Sequence, residues 1–242
     1  FKIDFNGFEL ADDLTITPIG FFKQTNTNAI IMNLRIENII IDLNTRGGMG
    51  GLVGDAEDTI IFNCSVKGTL TGNSTIGGIV GNSNNGLIIY NSFTDVNITG
   101  NNTIGGIVGS ITYSTNEALL YNCYSVGNLS ATTGANGGLI GSAGNLTIYD
   151  CYSGGKVSGG TLTGGLIADA NTNNVLFSLK DCYYDYLTSR QSDNDGRGIP
   201  LSSDEMMDVN TFRHWLVKEN SPWTMVDKST YPYLANNIGP KH

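Results

Sequence analysis

Apolar positions along the chain recur in one short phrase of two glycines, two aliphatic residues and one small residue. Its five copies are residues 50–54 (GGLVG), 77–81 (GGIVG), 105–109 (GGIVG), 137–141 (GGLIG) and 164–168 (GGLIA). Successive copies are 27, 28, 32 and 27 residues apart. A nearly constant period of this length is typical of a solenoid, in which each repeat forms one coil.

Two further phrases lie between the glycine phrases. The first is an aliphatic residue, then an aromatic residue or Lys, then Asn or Asp and a small residue, at 61–64 (IFNC), 89–92 (IYNS), 120–123 (LYNC), 148–151 (IYDC) and 179–182 (LKDC). The second alternates around one aliphatic residue, at 69–71 (TLT), 97–99 (NIT), 128–130 (NLS) and 156–158 (KVS). Three short strands per repeat, joined by turn-forming residues, predict an all-β, right-handed parallel β-helix of about seven coils.

In such a fold, equivalent residues of successive coils stack about 4.8 Å apart. We therefore expect the aliphatic residues of each phrase to form inward columns. Asn63, Asn91 and Asn122, in the phrase that begins IFNC, should stack at a turn, with Asp150 and Asp181 continuing their column. The cysteines occupy a repeat position, and their stacked side chains should point the same way. We predict that all four are free and buried.

The pattern divides the chain into a β-helix over residues 1–190, with entry coils in 1–49, and a C-terminal capping segment over 191–242. In the entry coils, Leu34, Ile36 and Asn38 resemble the later core phrase. In the capping segment, Ser202 and Glu205 form a capping-box pattern that predicts a short helix. We expect Phe212, Trp215 and Trp223 to cover the last coil.

Composition and charge exclude several classes of function. The formal net charge of −9 and the absence of a Lys/Arg cluster argue against nucleic-acid binding. The sequence has no apolar run long enough to cross a bilayer and no C-x-x-C pair of a zinc or redox site. Phe1 opens in the middle of a patterned stretch, so we expect this chain to be part of a larger one.

The glycine phrase, together with residues 122–125 (NCYS) and 150–153 (DCYS), resembles the GLUG motif. The resemblance extends over roughly residues 34–235 and includes the closing YPYL at 231–234. It implies an extracellular, non-catalytic module of bacterial adhesins or of large surface peptidases that attack immunoglobulin A. GLUG repeats have no catalytic residues to transfer to this sequence.

The main candidate binding residues form an aromatic column two positions before the cysteine: Phe62, Tyr90, Tyr121 and Tyr149. If the preceding aliphatic residues face inward, these rings face outward and offer flat apolar faces to a sugar or a protein. The alternative is that stacked rings only stabilise the sheet. A second column follows the cysteine, and the sequence does not fix its orientation: Phe93, Tyr124, Tyr152 and Tyr183.

Charged residues offer fewer candidates. Asp150 and Asp181 share a column and could form a carboxylate pair, but we favour the interpretation that both replace Asn in a turn. For His214 we expect a surface or packing role. Asp193 and Asp195 resemble the start of a calcium loop, but Arg197 occupies the next ligand position. We therefore expect no cofactor, with calcium at Asp193 and Asp195 as the alternative.

The sequence thus favours a non-catalytic, monomeric β-helical module of a bacterial cell-surface adhesin. Its partner would be a host or matrix glycan or protein. Two alternatives stay open: a carbohydrate-active β-helix enzyme, either a polysaccharide lyase or a hydrolase, and a passive spacer within a surface peptidase.

Overall fold

The computed structural model describes residues 2–4, 9–10, 18–43, 47–112, 115–170, 177–192, 197–217 and 219–235. These residues form a parallel β-solenoid, which confirms the predicted fold class. The solenoid has about five turns, against the about seven predicted. At the N-terminal end, the strands Lys2–Asp4 and Glu9–Leu10 both pair in parallel with Arg35–Leu43.

The coils stack into three walls. The first wall contains Phe22–Thr25, Ile30–Met32, Val53–Phe62, Val80–Tyr90, Val108–Ile111, Ala118–Tyr121, Ile140–Ala143, Leu146–Ser153, Ile167–Ala170 and Phe177–Asp185. The second contains Lys2–Asp4, Glu9–Leu10, Arg35–Leu43, Ser65–Gly72, Phe93–Gly100, Tyr124–Ser125, Leu129–Ala131, Val157–Gly159 and Ile199–Leu201. The third contains Met49–Gly50, Ile76–Gly77, Ile104–Gly105, Ala135–Gly137 and Leu162–Gly164. The strands at Leu146–Ser153 and Phe177–Asp185 continue across the turn between the first two walls.

The interior of the solenoid is a single apolar core. Ile61, Ile89, Leu120 and Ile148 are in register on successive coils and are fully buried. The four cysteines are free and buried in the same core, as predicted. Burial raises the pKa of the Cys64 thiol to about 11, so this sulfur stays protonated at neutral pH.

The turn between the first and second walls explains the Asn/Asp position of the repeat. Asn63, Asn91, Asn122, Asp150 and Asp181 all have φ of 51° or 52°, the left-handed conformation that Asn and Asp tolerate best. The amides also bond along the column, since Asn122 Nδ2 donates to Asn91 Oδ1 at 3.0 Å.

The first member of this asparagine column is Asn33, which corrects the sequence interpretation based on Asn38. Asn33 has φ of 56° and accepts from Asn63 Nδ2 at 2.6 Å. Ile30–Met32 pairs in register with residues 60–62, so residues 31–34 (IMNL) form the first copy of the phrase seen at 61–64 (IFNC). The prediction failed because Leu34 replaces the cysteine of the later copies.

The paired glycines are a backbone requirement at the corner before the first wall. A Cβ on Gly77 would lie 1.9 Å from the carbonyl oxygen of Val80, and one on Gly78 would lie 2.1 Å from that of Gly106. Neither neighbour is a flexible side-chain end, so no larger residue fits without moving the coil.

The described residues from Tyr186 onward contain three short helices, Tyr186–Ser189, Ser203–Met206 and Arg213–Leu216, and an antiparallel pair, Trp223–Thr224 with Tyr233–Leu234. Ser202 and Glu205 form the predicted capping box. We call residues 197–217 and 219–235 the tail. Ile199–Leu201 pairs with the last coil, so this strand covers part of the open end of the solenoid.

Two of the three aromatic residues expected over the last coil contact it, and the third lies elsewhere. Phe212 and Trp215 pack against Tyr183, whereas Trp223 contacts Tyr124 and Tyr152 on the two preceding coils. The tail therefore lies along the outer flank of several coils, rather than over the last coil alone. This flank is itself apolar, and the tail aromatics form a second core with it.

Candidate functional site

The predicted aromatic column is a continuous stack on the outside of the first wall. Ring centroids are 4.3 Å apart between Phe62 and Tyr90, 4.9 Å between Tyr90 and Tyr121, and 5.2 Å between Tyr121 and Tyr149. The ring planes differ by 18°, 8° and 9°. All four side chains are half-buried, while the preceding aliphatic residues are buried, so the predicted outward orientation is correct.

The stacking changes what the column can offer a ligand. Each ring of Tyr90 and Tyr121 is covered on both faces by its neighbours in the column. Solvent therefore meets ring edges and hydroxyl groups, and the expectation of flat apolar faces for a sugar is wrong for these two residues. The reason is the coil spacing, which places equivalent rings at stacking distance.

Two hydroxyls of this column, those of Tyr121 and Tyr149, have a raised pKa and stay neutral over the physiological range. Partial burial, with a smaller effect of the adjacent Tyr90 and Tyr149 hydroxyls, raises the pKa of Tyr121 to about 12. Burial, followed by the nearby Asp150 carboxylate, also raises the pKa of Tyr149. Tyr121 and Tyr149 therefore present hydrogen-bonding groups without charge.

A second apolar column runs beside the aromatic one and was missed in the sequence. Strand pairing places Ile30, Ile60, Ile88 and Leu119 in register, two residues before the aromatic position. Ile30 is 59% exposed and the others are half-buried. The available signal was strand alternation, because residues on both sides of a buried Ile61 or Ile89 must face outward.

We call the two columns together the ladder face, which consists of Ile30, Met32, Ile60, Phe62, Ile88, Tyr90, Leu119, Tyr121 and Tyr149. Its apolar character decreases along the axis. Met32, 54% exposed, precedes Phe62 in the aromatic column, whereas Lys180 follows Tyr149. The aliphatic column likewise continues into Thr147 and Ser178.

Polar groups border the ladder face on both sides. One border is the asparagine turn described above. The other contains acidic residues of the first wall, Asp55, Glu57 and Asp58, all half-buried. Neighbouring coils partly satisfy them, since Asn82 donates to Asp55 and Asn85 donates to Asp58. An apolar centre with a polar border is the usual arrangement of a protein-binding surface.

The second aromatic column also stacks, but it is covered. Centroids are 4.8 Å apart between Phe93 and Tyr124 and 5.0 Å between Tyr124 and Tyr152, with nearly parallel planes. These rings point away from the solenoid core, into the apolar cluster formed with the tail. Tyr152 Oη donates to the carbonyl oxygen of Pro232 in the tail at 2.7 Å. This column therefore holds the tail in place.

The candidate carboxylates lie together on adjacent coils. Register aligns Asp150 with Asp181, and Asp150 is only 4% exposed. His214 of the tail lies beside them, in contact with Tyr183 and Trp215. A glycoside hydrolase holds two carboxylates on opposite sides of the scissile bond, whereas these two are stacked along one column. The calcium candidates Asp193 and Asp195 lie outside the described residues.

Comparison with solved structures finds one of a putative immunoglobulin A1 protease from Bacteroides ovatus. The match has 18% sequence identity and a TM-score of 0.64, and it covers 98% of this chain and 78% of that one. At this identity the likeness establishes the fold alone. Models of protein families give no match, and neither do curated proteins. Among the described residues, no helix is long and apolar enough to cross a membrane.

Proposed function

We propose that this chain is a non-catalytic, monomeric module of a larger bacterial cell-surface protein, and that it binds a partner protein through the ladder face. The observation that carries the proposal is the exposed apolar surface built from two adjacent columns on successive coils. Soluble monomers seldom expose contiguous apolar surface of this kind unless it binds something.

The chemistry of the ladder face favours a protein over a glycan as the partner. Sugars stack on ring faces, but the faces of Tyr90 and Tyr121 are occupied by neighbouring rings. Ring edges, aliphatic side chains and neutral hydroxyls instead match an apolar protein surface. The acidic border and the net charge of −9 favour a partner with basic residues around its apolar patch.

An extracellular setting is supported by the resemblance to GLUG repeats and by the fold of the Bacteroides ovatus protein, a putative immunoglobulin A1 protease. Both are consistent with a module of an adhesin or of a surface peptidase. In either setting the ladder face would attach the larger protein to a host or matrix protein, and this binding needs no cofactor.

A passive spacer is the competing function, and it needs no exposed apolar surface. A carbohydrate-active enzyme is the second alternative, which the adjacent Asp150 and Asp181 carboxylates favour. We rank the enzyme lower for two reasons. Asp150 is almost completely buried, and the two carboxylates are stacked along one column, whereas a glycoside hydrolase holds its two carboxylates on opposite sides of the scissile bond.

The test is binding of the wild-type chain to a panel of immobilised matrix proteins, immunoglobulin A and glycans. The variant Tyr90→Ser/Tyr121→Ser removes two central rings of the ladder face. The matched control, Thr99→Ala/Ser130→Ala, changes two exposed residues in register on the second wall. We expect a protein ligand whose affinity falls at least tenfold in the ladder variant and is unchanged in the control.

Three results would count against the proposal. Absence of any protein ligand would favour the spacer. Glycan binding that survives in the ladder variant would place recognition elsewhere. Release of reducing sugars from a polysaccharide, lost in Asp150→Asn, would establish the enzyme.

A further inference from the structure

Three metal-binding side chains converge where the tail meets the solenoid. One ligand atom from each of Asp150, Asp181 and His214 lies within 4.8 Å of the other two. His214 Nε2 is 3.8 Å from Asp181 Oδ1 and 3.5 Å from the hydroxyl of Tyr183. A tetrahedral cation with ligands at about 2.0–2.2 Å needs donor atoms about 3.5 Å apart, so a small closure would complete the geometry.

Rigid elements hold all three side chains. Asp150 and Asp181 occupy the left-handed turn of successive coils with the same φ of 52°. His214 belongs to the helix Arg213–Leu216. The residue after His214 in this helix, Trp215, is completely buried in the apolar cluster of the tail. The two acidic ligands therefore come from the solenoid and the imidazole from the tail.

The column changes from Asn to Asp on the two coils that carry Asp150 and Asp181. The turn accepts Asn equally well, as Asn33, Asn63, Asn91 and Asn122 demonstrate. Asn also bonds along the column, whereas a carboxylate has no N–H group to donate to its neighbour. The substitution removes this amide-to-amide bond, and it occurs on the two coils whose turns lie beside His214.

We propose that Asp150, Asp181 and His214 bind a divalent cation of the zinc class, which ties the tail to the solenoid. Two carboxylate oxygens and one imidazole nitrogen form a donor set of borderline character, suited to Zn²⁺. The cation neutralises the paired carboxylates, and water completes its shell. The side chains of His214 and Asp181 are 39% and 32% exposed, which leaves a route from solvent. This site is separate from the ladder face and independent of the function proposed for it.

The experiment titrates metal-stripped protein with Zn²⁺, and separately with Ca²⁺, by isothermal calorimetry, with the thermal unfolding midpoint recorded in parallel. We expect one Zn²⁺ per chain and a rise in the midpoint, with Ca²⁺ at least tenfold weaker. His214→Ala should weaken Zn²⁺ binding at least tenfold. The control His242→Ala, which removes the other histidine of the sequence, should not.

The double variant Asp150→Asn/Asp181→Asn keeps the protein folded, because Asn is the native residue of this column on other coils. We expect it to be at least as stable as the metal-free wild type and to give no zinc-dependent rise in the midpoint. The proposal is overturned if Zn²⁺ does not bind, if binding survives in either ligand variant, or if Ca²⁺ binds as tightly and without need of His214.

Discussion

The two aromatic columns of the solenoid lie on either side of the same turn and differ in what covers them. Tyr121 precedes the Asn122–Cys123 pair and Tyr124 follows it, and both stack with their equivalents at about 5 Å. Tyr121 is half-buried beside solvent, whereas Tyr124 is buried under Trp223 of the tail. Similar local sequence and identical stacking therefore produce one open surface and one closed core.

This difference teaches that the repeat alone does not determine the role of its columns. The tail-facing column is aromatic only from Phe93 to Tyr183; the equivalent earlier residues are Arg35 and Ser65. The open column is apolar from Met32 onward and becomes polar at Lys180. The tail packs against the aromatic part of the tail-facing column, and we propose that a partner protein binds the apolar part of the open column.

Loss of a buried aromatic ring of the tail should have the largest effect on stability. Trp215→Ala removes a completely buried ring that contacts Phe212, Tyr183 and Trp223. We expect the free energy of unfolding to fall by about 3–5 kcal/mol, measured by urea denaturation. Val217→Ala, at a nearby position that is 70% exposed, is the control and should change it by less than about 0.5 kcal/mol. Similar losses for both would mean that the tail is not packed on the flank.

The next largest effect should come from Asp185, which joins the last coil to the tail. Its completely buried carboxylate accepts hydrogen bonds from Thr188 Oγ1, Ser203 Oγ and Tyr231 Oη. Asp185→Asn removes the charge from these bonds and should cost about 2 kcal/mol at pH 7. Urea unfolding at several pH values measures this cost.

The pH dependence of that cost follows from the pKa of Asp185. Burial alone would raise this pKa, but the hydrogen bonds from Thr188, Tyr231 and Ser203 outweigh burial and lower it below the ordinary value of 3.8. The contribution of the carboxylate is therefore complete above pH 3.8 and is lost as the pH falls through the lower, folded-state pKa. A difference between wild type and Asp185→Asn that persisted unchanged to pH 2 would contradict this account.

The smallest expected effects concern two hydroxyl groups of the tail-facing column, those of Tyr152 and Tyr124. Tyr152 Oη donates to the Pro232 carbonyl, whereas the buried hydroxyl of Tyr124 finds no hydrogen-bond partner among the described residues. We expect Tyr152→Phe to lose about 1 kcal/mol of unfolding free energy and Tyr124→Phe to be neutral or stabilising. Phe93 shows that phenylalanine fits this column. Thermal unfolding of both variants is sufficient, and equal losses would contradict the assigned contacts.

Much of the fold could be predicted because its determinants are local and repeat. The glycine corner, the left-handed asparagine turn and the buried aliphatic positions each recur at one period, so stacking follows from the sequence. The position of the tail was harder to predict. Trp223 contacts Asn122 and Tyr124 about 100 residues earlier, and this contact is not part of the repeating pattern.

The candidate site was predicted only in part. The outward direction of Tyr90 and Tyr121 follows from strand alternation, but coverage of their ring faces depends on the coil spacing. The outer aliphatic column at Ile60 and Ile88 was overlooked because an unbroken apolar run conceals the alternation. The position of His214 beside Asp181 depends on the path of the tail, for which the sequence has no local signal.

Urea unfolding of two single variants, Tyr121→Ser and Tyr124→Ser, tests the contrast between the columns most directly. The residues are three positions apart and both stack with their neighbours in the column. They differ in that the tail covers Tyr124 and leaves Tyr121 facing solvent. We predict a loss of about 3–5 kcal/mol for Tyr124→Ser and about 1–2 kcal/mol for Tyr121→Ser. An equal or larger loss at Tyr121 would mean that the ladder face is structural, and it would contradict the central claim.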